Sequence, residues 1–282
     1  MTRLLYLHVV GSDAADGSEA FAVEMQKHLV AAVSEGTRID LISLAADRPR
    51  HIDFHAYEGL ILTDIIRHVR AGAEAYDGFV IGCFYDIGLR EARELSGRAV
   101  VTAPCQAATD MAMQLGNRFS VLVGMPKNIP KMSENVRIYG RDHAMASMRA
   151  LGLSVWEQQT SPDVVPRMLE VGRACVEQDG AEVLVLGCTA GFGLHETLSA
   201  ELGVPVLDAM LAPTKYAEFL ADAARRLGWY PSRAGGSAPP PEYEIGCWGL
   251  FDAAPELGIR IVDPRPTPDP QFYMPDREKR HT

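Results

Sequence analysis

Two stretches of this chain repeat one another at a fixed offset, and each ends a hydrophobic run on a cysteine. Phe79-Val80-Ile81-Gly82-Cys83 is followed by Gly88-Leu89 and Glu91, while Leu184-Val185-Leu186-Gly187-Cys188 is followed by Gly193-Leu194 and Glu196. The same offset pairs Val101 with Val206, Ala107 with Ala212, Thr109 with Thr214, Ala112 with Ala217 and Leu115 with Leu220. A gapless internal repeat restricts the chain to a fold built twice from one plan. It also sets one thiol at the end of a buried strand in each half.

Strand-like runs alternate with helical stretches around these frames. Strands are predicted at Leu4–Val10, Arg38–Leu44, Gly78–Gly82 and Ala99–Thr102, with helices at Ser18–Val33, Tyr57–Tyr76, Gly88–Leu95 and Gln106–Leu115. The pattern then restarts. Strands are predicted at Phe119–Val123, Leu153–Gln158, Val183–Gly187 and Pro205–Asp208. Ile129–Leu151 reads as mostly helical, and helices follow at Val164–Gln178, Leu194–Leu202 and Pro213–Leu227. Repeated βα units imply parallel strands with helices on both faces. The expected fold is therefore α/β, with two similar parallel-sheet domains at 1–117 and 118–228, related by pseudo-symmetry. The last helix of each half is expected to pack on the other half. The Pro-rich arm at 229–282 holds Pro239-Pro240-Pro241, and such a segment is not expected to build regular helix or sheet of its own. It keeps Tyr243, Trp248, Leu250, Phe251, Phe272 and Tyr273, so it is expected to dock on this subunit or a neighbour.

Composition narrows the function classes. With 47% hydrophobic and 23% charged residues the chain reads as an ordinary globular protein. A net charge of −10 argues against nucleic acid or an anionic membrane as partner. No apolar run reaches the ~20 residues that span a bilayer. Cys83, Cys105, Cys175, Cys188 and Cys247 are an odd set without CxxC spacing, which favours a reducing cytoplasm over a disulfide framework. No Walker motif or dinucleotide fingerprint is present, so no nucleotide cofactor is implied. The expected partners are a small-molecule substrate with a carbonyl or carboxylate group and further copies of the chain, as a homo-oligomer.

In a parallel α/β sheet, ligands gather beyond the carboxyl ends of the strands. Cys83 and Cys188 each follow a strand-ending glycine, so both belong at that edge. Loop amides there favour an anion, lower a thiol pKa and stabilise a growing enolate. Cys175 reads as core, Cys105 as a loop residue near the site and Cys247 as part of the arm. His51, Asp53 and His55 resemble a metal set on paper, but no further ligand is spaced to complete it, and no metal is expected. His195 reads as a helix-surface residue or a tuner of Cys188, and Asp208 as a supporting residue behind the site.

At these residues the chain resembles the aspartate/glutamate/hydantoin racemase superfamily, closest to its hydantoin and allantoin racemase branch. Gly82-Cys83-Phe84-Tyr85-Asp86-Ile87-Gly88-Leu89-Arg90-Glu91-Ala92-Arg93-Glu94-Leu95 looks like the first cysteine motif, Leu186-Gly187-Cys188-Thr189-Ala190-Gly191 like the second, and Arg118-Phe119-Ser120-Val121-Leu122 like the strand opening the second half. The resemblance implies an isomerase that needs no cofactor, with its site between two α/β domains. Cys83 and Cys188 would be the catalytic acid/base pair. Phe84, Tyr85, Thr189, Ala190 and Gly191 would hold substrate oxygens. Thr189 reads equally as a helix cap. The branch's Asn-Pro-Asn-Thr-like loop is replaced by Val10-Gly11-Ser12-Asp13, where Gly11 and Ser12 would take over binding. Ile87 stands where the branch has Pro, and Gly124-Met125-Pro126-Lys127-Asn128 is also unusual. These differences bear on the substrate more than on the chemistry. The superfamily also includes malonate decarboxylases with one working cysteine and maleate cis–trans isomerases. A member that binds without turnover is a third reading.

Overall fold

The computed structural model of the chain describes residues 1–13, 15, 17–249 and 251–266. Its first strand, β1 (Thr2–Gly11), buries Leu4, Leu5, Tyr6, Leu7 and Val9, which point alternately to both faces. A strand apolar on both faces must be covered twice, which places it inside a parallel sheet. β1 is flanked by β2 (Thr37–Leu44) and β3 (Gly78–Ile81), with β4 (Val100–Thr102) beyond β3. The helices α1 (Ser18–Ala32), α2 (His55–Gly72) and α3 (Leu89–Leu95) link these strands, and α4 (Pro104–Leu115) leads into the second sheet. There β5 (Phe119–Val123) is central, between β6 (Met145–Ala150) and β7 (Val183–Leu186), with β8 (Val206–Leu207) beyond β7. Its helices are α5 (Ile129–Ile138), α6 (Val155–Thr160), α7 (Val164–Glu177), α8 (His195–Leu202) and α9 (Leu211–Leu227). β1 to β8 all pair in parallel. The order β4-β3-β1-β2 in one sheet is matched by β8-β7-β5-β6 in the other.

The last helix of each half crosses over, as expected from the repeat. α9 packs on β1, β3 and β4, and α4 packs on β5 and β7. The Thr102 hydroxyl donates to the Pro213 carbonyl at 2.9 Å, tying β4 to the start of α9. One buried cluster runs from Leu7, Phe79 and Ile81 through Ala108 and Ala112 to Phe119, Val121 and Val185. The two sheets therefore share a core, and their relative placement is fixed by packed side chains.

Three sequence expectations are corrected. The helix expected over Ile129–Leu151 stops at Ile138, and Met145–Ala150 is instead the edge strand β6, paired with β5. Its Ala and Met residues are good helix formers, but Gly140 at φ 68° breaks the helix and the open edge of β5 supplies a partner. The strand expected at Leu153–Gln158 is the helix α6. Ser154 and Glu157 cap each other's backbone amides reciprocally at its start. The arm, expected to lack regular structure, forms a short helix α10 (Glu242–Trp248) and a strand β9 (Leu257–Ile261). β9 runs antiparallel to β2, with Leu41 opposite Ile261 and Ile42 opposite Arg260. The Asp263 carboxylate accepts from the Ile39 amide at 3.1 Å, and the Asp263 amide donates to Asp40 at 3.0 Å. The arm thus docks on its own chain along the first sheet's edge, while Phe272 and Tyr273 lie outside the described residues.

Candidate active site

The carboxyl ends of both sheets border one cavity of about 80 Å³, room for several water-sized groups and so for a small molecule. The first sheet contributes His8, Val9 and Val10 from β1, Arg50 to Asp53 after β2, and Gly82 to Tyr85 after β3. The second contributes Gly124 and Asn128 after β5, Val155, Gln158 and Gln159 of α6, and Gly187 to Ala190 after β7. Phe21 of α1 and Met132 of α5 complete the wall.

Each cysteine stands two residues beyond its strand, and the intervening glycine is dictated by packing. The Gly82 amide donates to the Leu7 carbonyl at 2.8 Å and the Gly187 amide to Leu122 at 2.7 Å, so each glycine is held against the central strand. A Cβ on Gly82 would lie 2.6 Å from the Tyr6 hydroxyl, and one on Gly187 2.7 Å from the Leu122 carbonyl oxygen. Past each cysteine the chain turns tightly. The Asp86 amide returns to the Cys83 carbonyl at 2.9 Å and the Gly191 amide to the Cys188 carbonyl at 3.3 Å. The Tyr85 amide donates to the Cys83 sulfur and the Ala190 amide to the Cys188 sulfur. These amides favour the thiolates, but burial outweighs them. The Cys188 thiol is pushed up to about 11, with the Asp53 carboxylate adding to burial. Cys83 is pushed up further by burial, and charge on Cys188, Glu58 and Asp86 adds to it. At neutral pH both are thiols, and Cys83 is near enough to sense a charge on Cys188.

Buried carboxylates brace both loops. Asp86, in the left-handed region at φ 51°, accepts from the amides of Cys105 at 2.8 Å and Gln106 at 2.9 Å, and from the Tyr139 hydroxyl at 2.9 Å. It pins the Cys83 loop to the start of α4. Asp208 accepts from Gly193 in the Cys188 loop at 2.8 Å and from Met210 and Leu211 at the start of α9, at 2.7 and 3.1 Å. His195 Nδ1 lies 3.6 Å from Asp208, beyond hydrogen-bond reach, and the carboxylate raises the imidazole pKa. His195 therefore meets the brace of Cys188 rather than the cavity wall.

Of the residues singled out in the sequence, Cys83, Phe84, Tyr85, Cys188, Thr189 and Ala190 come together around the cavity, whereas Gly11, Ser12 and Gly191 are not among its lining residues. Thr189 is not a cap. Its hydroxyl donates to the Gly82 carbonyl at 3.2 Å and joins the two cysteine loops. Tyr85 accepts a hydrogen bond from Asn128 across the halves, and its own phenolic proton is left for another acceptor. Cys105 and Cys175 are buried and Cys247 is exposed, away from this wall. His51 pairs with Asp53 at 3.3 Å and His55 with Glu58 at 2.6 Å, so the two histidines face separate carboxylates. Sequence reasoning missed His8, Arg50, His51, Asp53, Asn128, Gln158 and Gln159 as wall residues. Applying the strand-end rule to every parallel strand, rather than to the cysteine-bearing ones alone, would have found most of them.

The sequence and the fold both have known relatives. Residues 8–217 match the family model described as Asp/Glu/Hydantoin racemase. Hydantoin racemase from Rhizobium meliloti is 33% identical over 227 residues, covering 78% of this chain and 90% of that protein. Hydantoin racemase from Paenarthrobacter aurescens is 32% identical over 243 residues, covering 85% and 98%. Among solved structures, allantoin racemase from Klebsiella pneumoniae superimposes with a TM-score of 0.75 at 27% identity, covering 86% of this chain and 94% of that one. With the matched segment spanning both cysteine loops and both sheets, the chain belongs to the Asp/Glu/Hydantoin racemase family.

Proposed function

We propose that the chain is a racemase or epimerase working without a cofactor, which moves a proton at a carbon next to a carbonyl with Cys83 and Cys188 as acid and base. In this reading, 1–117 and 118–228 are the two domains forming the walls, and 229–282 is a structural arm. The observation that carries the reading is the pair of strand-end cysteines in one cavity, each with an amide donated to its sulfur. One cysteine, as thiolate, takes the α-proton and becomes a thiol while an enolate forms. The other, as thiol, protonates the opposite face and becomes the thiolate. The proton inventory is restored by exchange with solvent or by turnover in reverse.

A hydantoin- or allantoin-like cyclic ureide fits this chemistry, because its ring carbon is activated by the adjacent carbonyl. Hydantoin and allantoin racemases are among the relatives. Arg50 and Asp53 in the wall match the carbonyl and N–H edges of such a ring. Two free thiols suit a reducing compartment such as the cytoplasm. Assembly as a homo-oligomer belongs to the same reading and is checked by sedimentation. The deciding experiment incubates single enantiomers of allantoin and 5-substituted hydantoins in D₂O and follows the α-proton by NMR together with optical rotation. Solvent deuterium should enter as rotation is lost, and Cys83→Ser and Cys188→Ser should each abolish racemisation. Full activity in either single variant sinks the two-base mechanism. Release of CO₂ or a cis-to-trans olefin change with other substrates would point instead to another reaction of the fold.

A further inference from the structure

The turns that hold the two sulfurs use several of their own donors, leaving the amides of Phe84 and Thr189 for a ligand oxygen. The amides of Tyr85 and Ala190 are directed to the sulfurs, and those of Asp86 and Gly191 close the turns. A side-chain donor in the wall can add to these amides at the oxygen that gains charge.

His8 is placed to supply it. Leu7 pairs with Ile81, so in the parallel register His8 stands level with Gly82, beside the strand end that carries Cys83. Its ring packs on Phe21 with centroids 5.9 Å apart and borders the cavity. Nδ1 is sealed from solvent and has no hydrogen-bond partner among the described residues. Nε2 is therefore the nitrogen a ligand can meet. A proton on Nδ1 would bury an N–H that no described residue accepts. A proton on Nε2 leaves Nδ1 as a buried acceptor and places the N–H where a partner can reach it. Burial also lowers the His8 pKa to about 4, so at neutral pH the ring carries a single N–H.

Resting on the function proposed above, we infer that His8 is a further catalytic residue, whose uncharged imidazole donates Nε2–H to the ligand carbonyl oxygen as the α-proton leaves. The donor is strongest where charge develops and keeps its proton throughout, so no proton has to be returned to it. The imidazole acts as a neutral electrophile of the kind other proton-transfer enzymes use.

The test has two arms. In the first, ¹⁵N NMR of histidine-labelled wild-type protein reads the tautomer at pH 7, without and with 5,5-dimethylhydantoin, a ring with no α-proton to lose. The Nε2–H tautomer is expected, with its Nε2 signal moving as the ring binds. An Nδ1–H tautomer, an imidazolium, or an Nε2 signal unmoved by saturating ring overturns the inference. In the second arm, His8→Leu should lower kcat by roughly 10²–10³-fold with KM changed far less, and His8→Gln should recover part of the loss. Wild-type kcat in His8→Leu also overturns it. If the wild type racemises none of the compounds, the proposed function fails, and the NMR arm still decides whether His8 donates to a bound ring.

Discussion

Both thiols proposed as acid and base start from an unfavourable position. Burial holds Cys188 up at about 11 and Cys83 higher, so the thiolate that begins each turnover in the proposed mechanism is scarce at neutral pH. Ionisation of the free enzyme should therefore limit kcat/KM, which should climb about tenfold per pH unit on the alkaline side of neutrality. Asp53 helps to keep Cys188 protonated, so Asp53→Asn should move that limb to lower pH. A profile flat between pH 7 and 9, or a shift to higher pH in the variant, would contradict this electrostatic account. The two cysteines were legible in the sequence because a repeat marks paired positions that a lone cysteine would not. His8 was illegible there because it sits in an apolar strand and reads as core. Gly11 and Ser12 lie a few residues further along the same strand end, outside the residues that line the cavity.

At the scale of elements, α6 shows how a local signal can be overlooked. Ser154 and Glu157 form an S-x-x-E capping box, which is sequence information, but Leu153, Val155 and Trp156 beside it read as a strand. A helix of six residues cannot hold itself by propagation and depends on its cap and its packing. Because α6 supplies Val155, Gln158 and Gln159 to the cavity, Ser154→Ala should cost about 1 kcal/mol in urea denaturation and raise KM severalfold with little change in kcat. An unchanged KM would mean that the wall stays in place without its cap. β6 was misread for the opposite reason. Its composition is helical, and only the neighbouring β5 edge makes it a strand, which no local window reveals. Of the two carboxylate braces, Asp208 was read from sequence as a support behind the site, whereas Asp86 was not singled out as one. Asp86 and Asp208 sit at different points of the two repeats, yet each ties a cysteine loop to the helix that crosses into the other half.

The whole molecule is one interlocked object. The repeat and the parallel sheets were readable from spacing alone, whereas the arm's attachment depends on an edge that exists only after the sheet has formed. β9 covers the outer side of β2, and Ile245 and Ile259 bury their side chains against the body. Full burial of such a side chain is worth ~1.5–3 kcal/mol, so truncation after Gly228 should remove a few kcal/mol. It should also leave a bare β2 edge able to pair with other chains. Thermal melting and light scattering would record the two effects, and a truncated protein as stable and monodisperse as the full chain would show the arm to be dispensable.

The crossing helix and the arm also fix an order of events on the ribosome. The strands β1 to β4 emerge before β5 to β8, but part of one face of their sheet, beside α1, waits for Leu211–Leu227 and its outer edge for Leu257–Ile261. The earliest part of the chain to be synthesised is thus the last to be completed, and a nascent chain halted before β9 presents an open strand edge to its neighbours on the same message.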